Sequence, residues 1–374
     1  MRRIGFIVNP YSGIGGILGL KGSDGIREII GVGEPRYLRG VVRAEEFIGY
    51  LASVDLPDEV RFVVPRGFMG SFILESSGIE YIALDYPGHE PTISMDTVIS
   101  VSMLYREGVE AIVFVGGDGT ARDIYTGLRH YGDLSLPVLG VPSGVKVFSG
   151  VFAVRPLEAA RLLSMFLRGE ASIVDGDVVD VDEYSYRRDV LNIRLYGSLR
   201  VIYGSGLVQG SKDVSVSGGD GDKEAIARYV VEELMGDGIY ILGPGSTVKA
   251  VADKLGVEKT LLGVDVYSRD FYMRDVSEQD LWRIVNRYRD VYIILSPIGR
   301  QGFILGRGNL QISPRVLRRV GRDNLIILAS RRKLGSLDGG VLRIDTGDPE
   351  LDRELRGYYR VVVGYREFRF VRAI

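Results

Sequence analysis

The stretch Ala111-Ile112-Val113-Phe114-Val115 runs directly into Gly116-Gly117-Asp118-Gly119-Thr120 and then Ala121-Arg122-Asp123-Ile124-Tyr125-Thr126-Gly127-Leu128. An uncharged apolar run rich in β-branched side chains reads as a strand buried on both faces of a parallel sheet. The glycines let the backbone turn tightly and let a ligand touch bare main chain. Ile124 and Leu128 fall four apart, so a helix is expected to begin near Thr120, its free N–H groups forming an anion site over the glycines. Asp118 is the only acid among residues 116–120, where a carboxylate would repel phosphate unless a metal ion or a proton transfer gave it a task. Strand, glycine turn, acid and helix together point to phosphoryl transfer.

Thr120 and Asp123 also fit a Ser/Thr-x-x-acid capping pattern, so part of the motif can be read as a helix start alone. A second Gly-Gly-Asp-Gly, residues 218–221, follows Ser215-Val216-Ser217 instead of a buried strand and leads into a charged segment. It reads as a solvated loop, so context and not the string separates the two copies.

The chain opens with Ile4–Val8, another short apolar strand, ending at Asn9-Pro10. Glycines 13, 15, 16 and 19 follow, with Ser12 and Lys21 among and beyond them. This is not a dinucleotide fingerprint, because Leu18 occupies the third glycine position, nor a Walker A loop, because Lys21 follows Leu20. The segment either wraps phosphates or serves as a lid; its place beside a parallel sheet favours ligand contact. Short strands at Val60–Val64 and Tyr81–Leu84, a helix through Asp96 and Leu104, and a strand at Pro137–Pro142 complete a doubly wound α/β pattern. Ser143-Gly144-Val145-Lys146 follows the last strand, with Lys146 either a point charge for phosphate or a surface lysine. A helix from Pro156 to Leu167 is closed by Gly169.

Beyond it, valines alternate with Asp177, Asp180 and Asp182, and apolar positions alternate again from Val190 to Tyr203, as in antiparallel strands with one wet face. A domain boundary is therefore expected near Glu170. Ile239–Leu242 runs into Gly243-Pro244-Gly245-Ser246-Thr247 and a helix, repeating the central arrangement with hydroxyls in place of the acid. Ser246 or Thr247 there is either a cap or part of a ligand site. Strands at Leu261–Val266, Val291–Leu295 and Leu325–Leu328 alternate with helices at Glu278–Tyr288 and Pro314–Val320. Gly306-Arg307-Gly308-Asn309 reads as a pocket rim. The expected division is residues 1–169, a second mixed α/β domain with antiparallel strands over 170–338, and 339–374 packing back on the first domain.

Composition sets outer bounds. The 374 residues are 45% apolar, enough for two cores, and the net charge of −2 argues against nucleic acid or an anionic membrane as partner. No run approaches a membrane span and no cleavable signal pattern opens the chain, so a cytoplasmic protein is expected. With no cysteine and only His89 and His130 as histidines, thiol chemistry, a zinc cluster and a histidine triad fall away; both histidines read as surface residues. Arginine outnumbers lysine 39 to 8, and thermolabile residues are scarce, as expected of a thermophilic source.

Gly116–Thr120 resembles the signature of the superfamily that holds NAD kinases, diacylglycerol and sphingosine kinases and, more distantly, phosphofructokinases; Asn9-Pro10-x-Ser12-Gly13 is similar to the start of the same fold. Within that superfamily the chain most resembles the ATP-NAD/AcoX kinase group nearly end to end, through Gly19 to Gly25, Gly140 to Lys146, Gly243 to Thr247, Gly302 to Pro314 and Asp345 to Pro349. The resemblance implies an NAD kinase/phosphofructokinase-like first domain, ATP and Mg2+ as cofactors, the ribose 2′-hydroxyl of NAD as acceptor, and a homo-oligomer. It implies that Asp118 accepts the hydroxyl proton or places magnesium, and that Gly116, Gly117, Gly119 and Thr120 hold donor phosphates, with Asn9, Ser12, Lys21, Ser143, Gly144 and Lys146 beside the nucleotide. Gly245, Ser246, Thr247 and Asn309 fall to the substrate. NAD kinases also carry Asn followed by an acid on a second-domain strand, whereas Asn192 here precedes Ile193, and their second domain is β-rich whereas this one reads as mixed. A kinase for another small polyol or keto-alcohol, and a nucleotide-binding regulatory module without chemistry, therefore stay open as readings.

Overall fold

The computed structural model describes residues 2–13, 38–54, 56–57, 60–75, 77–86, 88–143, 147–181, 193–204, 207–208 and 220–374 except 300. These fall into two compact units, one reaching past residue 203 and the other beginning before residue 220. Among the described residues, no helix is long and apolar enough to cross a membrane.

The first unit runs β1 (Arg2–Val8), α1 (Arg39–Leu51), β2 (Val60–Val64), α2 (Ser71–Leu74), β3 (Tyr81–Ala83), α3 (Ser94–Arg106), β4 (Ala111–Gly116), α4 (Asp118–His130), β5 (Val138–Pro142), α5 (Pro156–Leu167), β6 (Ser172–Val181) and β7 (Ile193–Tyr203). Its seven-stranded sheet has the order β3-β2-β1-β4-β5-β7-β6, and only the edge strand β6 runs antiparallel to its neighbour. Alternation along β4 splits its side chains between two cores. Ala111, Val113 and Val115 join α1 and α5 residues such as Phe47 and Leu163, whereas Ile112 and Phe114 join Val101 of α3 and Ile124 and Leu128 of α4. The order reverses between β1 and β4, so their connections leave in opposite directions and open a crevice at the carboxyl ends of those strands.

The second unit runs α6 (Asp220–Tyr229), a π-helical turn, β8 (Ile239–Leu242), α7 (Ser246–Lys254), β9 (Asp265–Tyr267), β10 (Tyr272–Met273), α8 (Glu278–Arg287), β11 (Val291–Leu295), β12 (Phe303–Leu305), α9 (Pro314–Val320), β13 (Leu325–Leu328), α10 (Arg331–Gly335), β14 (Arg343–Ile344), α11 (Pro349–Glu354), β15 (Gly357–Gly364) and β16 (Glu367–Ala373). Its main sheet has the order β10-β9-β8-β11-β13-β15-β16, with β12 and β14 paired separately. The middle strands β8, β11, β13 and β15 are parallel and the flanking pairs antiparallel. The mixed α/β character expected of this half is thus present. Ser313 caps α9 ahead of Pro314, accepting from the Val316 amide.

Four expectations are corrected. The helix after β4 begins at Asp118, with extended Gly117 as its N-cap, so Thr120 lies inside the first turn and caps nothing. The strands beyond Glu170 belong to the first sheet, where Val201 of β7 pairs with Val138 of β5; alternation had disclosed their wet face, with Asp175 and Asp177 exposed, but not their sheet. Residues 339–374 are not a separate segment but part of the second unit, where β15 and β16 extend the second sheet from β13. Asp220 and Gly221 of the second Gly-Gly-Asp-Gly start α6, and residues 218–219 lie outside the described residues.

Gly140 on β5 pairs with Phe114, and a Cβ there would stand 2.5 Å from the Phe152 ring and 3.0 Å from that of Phe114. These two rings pack edge to face at 5.3 Å. Gly140→Ala should therefore destabilise the first unit by about 1–3 kcal/mol through overpacking, read by urea unfolding, and adding Phe152→Leu should recover part of that loss.

Candidate active site

Three loops leave the carboxyl ends of β1, β4 and β5, and polar side chains lace them together. The Asn9 amide N–H donates to the Val115 carbonyl at 3.0 Å, while its Nδ2 donates to Thr120 Oγ1 at 3.0 Å. The Ser143 amide donates to the Gly116 carbonyl at 2.9 Å. Ser12 Oγ donates to the Asn9 carbonyl at 3.0 Å and also meets Ser143 Oγ. Gly13, at φ +83°, lies so close over Ser143 that a Cβ would come within 2.4 Å of its carbonyl oxygen. Gly116 is required for a similar reason, because a Cβ would stand 2.4 Å from the Thr120 side chain.

Gly117 and Gly119 differ. Neither has positive φ, and a Cβ at either position would meet nothing within 4 Å. The fold therefore does not require glycine at these two places, although glycine in a first helical turn costs up to about 1 kcal/mol against alanine. What their bare backbone provides is open approach to the first amides of α4, which have no partner within the helix.

Asp118 is only 7% exposed. Its carboxylate accepts from the Phe148 amide at 2.7 Å and from the Ser149 amide at 2.8 Å. The acid thus ties the start of α4 to the loop after β5, and Ser149 Oγ carries the tie onward by donating to the Val179 carbonyl of β6 at 2.9 Å. Arg39, first residue of α1, donates from Nε to the Ser143 carbonyl at 3.1 Å. Sequence reading did not single out Arg39 or the Phe148 and Ser149 amides; Arg39 stands where helical periodicity resumes after the glycine segment, while the two amides leave no trace in residue type. Lys21, Gly144 and Lys146, and with them Asn192, lie outside the described residues.

In the second unit, Gly245 and neither hydroxyl is the N-cap of α7, at φ 111° and without a side-chain cap bond. Ser246 is exposed and Thr247 is 3% exposed. The Gly245 amide donates to the Leu261 carbonyl at 2.8 Å. The loop bearing Leu261 is held from beneath: buried Lys259 donates to the Thr260 and Gly263 carbonyls, and fully buried Asp265 accepts from Thr260 Oγ1, Tyr272 Oη and the Asp275 amide. That bracing explains why the strand expected from Leu261 starts only at Asp265. Asn309 is 1% exposed and works within its own turn, accepting from the Gly306 amide and donating to the Ile304 carbonyl. The structure thus places Asn309 as the pin of its loop and not on an open rim. An open cavity of about 320 Å³ lies at the other end of β11, between Tyr288, Arg289 and Arg319, and contains none of the motif residues.

Residues 4–171 match the family model for the ATP-NAD kinase N-terminal domain, and residues 235–373 match that for the ATP-NAD kinase C-terminal domain. The chain belongs to the ATP-NAD kinase family. No curated protein and no solved structure matches it. In this ATP-NAD kinase family member the matched N-terminal domain stops at residue 171, whereas the first sheet continues through β6 and β7.

Further along α4 from Asp118, Asp123 is 6% exposed and its pKa is pushed up to about 6, chiefly by burial, which the Ser94 hydroxyl and Arg122 only partly oppose. Arg122 in turn holds Asp180 of β6 at 2.6 Å. Because the folded-state value lies above the ordinary carboxyl value of 3.8, the stability associated with the protonated form is fully present below about pH 4 and is lost as pH rises through about 6. Asp123→Asn should remove that dependence. The unfolding free energy of the variant minus that of the wild type should rise between pH 4 and pH 7 by about 2–3 kcal/mol, measured by denaturant titration at each pH.

Proposed function

We propose that the chain transfers the terminal phosphoryl group of ATP to a hydroxyl, and that the acceptor is the ribose 2′-hydroxyl of NAD. The observation that carries this reading is the open backbone at Gly117 and Gly119, left clear at the start of α4 beside the carboxylate of Asp118. Membership of the ATP-NAD kinase family supports the choice of donor and acceptor.

In this reading the first amides of α4 bind donor phosphate oxygens and complement their charge. Thr120, held by Asn9, and Ser12, held against Ser143, keep the neighbouring loops at fixed spacing around the nucleotide. Asp118 is the acid of the site, accepting the acceptor's proton or meeting the metal ion that travels with the triphosphate. Its two amide donors fix where that charge stands, which matters because phosphoryl transfer depends mainly on positioning and charge neutralisation. Among the described residues no group of three or more His, Asp or Glu gathers as a resident metal cage. One carboxylate with substrate phosphates is, however, a donor set that suits magnesium, so the residues fit Mg2+ entering with ATP. When bound there, the ion would neutralise charge building on the phosphate oxygens.

One sequence observation favours a different hydroxyl compound: Ile193 stands after Asn192, where NAD kinases carry an acid. The two acceptors separate in one assay, following ADP release from MgATP with NAD and, in parallel, a panel of small polyols and keto-alcohols. With NAD the wild type should release ADP and form NADP, and Asp118→Asn should lower turnover at least about 100-fold. The same substitution sets an amide nitrogen against the Phe148 or Ser149 donor, so stability should also fall by about 1–3 kcal/mol; assays therefore belong well below the variant's melting temperature. MgATP binding with no ADP release to any acceptor would reject a kinase, and undiminished turnover in Asp118→Asn would reject the assigned acid.

A further inference from the structure

The loop between β3 and α3 reaches the same carboxyl edge of the first sheet as the turn after β4, because β1 to β4 are all parallel. Within it, His89 and Tyr86 converge on Asp96 in the first turn of α3. Asp96 Oδ1 accepts from Tyr86 Oη at 2.6 Å and stands 2.6 Å from His89 Nδ1, while Oδ2 accepts from the Ile93 amide at 2.6 Å. Burial alone would push this carboxyl up, but the bonds from Tyr86, His89 and Ile93 outweigh it and hold Asp96 below its ordinary value. The Tyr86 phenol is pushed up to about 12 by burial and by its bond to Asp96. Asp96 is therefore an anion that can only accept, so His89 Nδ1 carries a proton and donates to it.

This arrangement is asymmetric. The Asp96 side chain is 0% exposed and that of His89 is 62% exposed. A buried carboxylate thus fixes the tautomer and orientation of a ring that is largely in solvent, directing Nε2 away from Asp96, as second-shell carboxylates do for working histidines. The start of α3 does not need the ring, because Asp96 already accepts the Ile93 amide there. The surroundings of this loop are linked to those of the nucleotide site on two sides. The Tyr11 phenol, in the turn after β1, is pushed up by burial and by the neighbouring Glu90 carboxylate, and Ser94 at the start of α3 bonds Asp123 of α4. In the order β3-β2-β1-β4, three strand spacings separate the two ends, roughly 14 Å, within the span of an extended nucleoside triphosphate.

We infer that His89 is a further ligand contact of this site, the Nε2 edge of its ring meeting a phosphate oxygen of the bound nucleotide. The inference rests on the nucleotide-phosphate reading of Gly116–Thr120, and one experiment keeps the two apart. The chain contains two histidines, and His130, at the opposite end of α4, serves as the internal reference. Imidazole and backbone amide NMR spectra would be recorded as MgATP is added, and again with adenosine. With MgATP the His89 ring resonances should move together with the Gly117 and Gly119 amides while His130 stays in place, and adenosine should leave His89 unchanged. His89→Ala should weaken MgATP binding about tenfold, and His89→Gln, which restores a donor, should recover part of it. Glycine amides that move while His89 stays silent would overturn the inference and leave the nucleotide reading standing. Silence of both would overturn the nucleotide reading and the inference with it. An equal shift with adenosine would overturn the phosphate contact, and a lower melting temperature with unchanged MgATP affinity in His89→Ala would assign the ring to the fold alone.

Discussion

A buried carboxylate has to be met by donors, and Asp118 is met by two backbone amides from a loop belonging to another strand. That requirement brings the chain after β5 back over the turn after β4. It continues through Ser149, whose hydroxyl both donates to and accepts from Val179, and through the Gly150 amide, which donates to the Asp177 carbonyl. The antiparallel edge of the first sheet is thereby fastened to the acid at its centre. Arg122, bridging α4 to Asp180, adds a second fastening on the same side.

The strands and the turn were legible because they rest on local chemistry. A run such as Ala111–Val115 is apolar on both faces for one reason, burial between two helical layers, and the alternation of its side chains between two cores follows. Asn9, Ser12 and Ser143 were legible as residues following strand ends, where a parallel sheet gathers polar groups. Their mutual hydrogen bonds are tertiary and were not. The start of α4 shows the limit of pattern matching: Thr120 and Asp123 have the spacing of a capping box, but Gly117 is already extended and the helix begins before the pattern does.

Larger misreadings have the same origin. Alternating valine and aspartate from Val178 to Asp182 establishes a half-buried strand and is silent about its partner; β7 found β5, so the first sheet extends beyond residue 170. Asn309 illustrates the reverse case. A polar residue closing a glycine-rich loop reads as a pocket rim, yet each side of its amide bonds a main-chain group of the adjoining strand or loop and the residue is buried. Residue type marks a need for hydrogen bonds, and only the folded chain decides whether a ligand or the backbone meets it.

Each unit carries its own pair of cores, one on either face of its sheet. Cooperative melting is a property of such a shared interior, so the natural thermodynamic element is the unit and not the chain. A calorimetric trace then records how strongly two transitions are linked, and a single midpoint would measure that linkage and not the strength of either interior. A small molecule gripped solely by the loops after β1, β4 and β5 would raise the melting of the first unit according to its concentration and affinity.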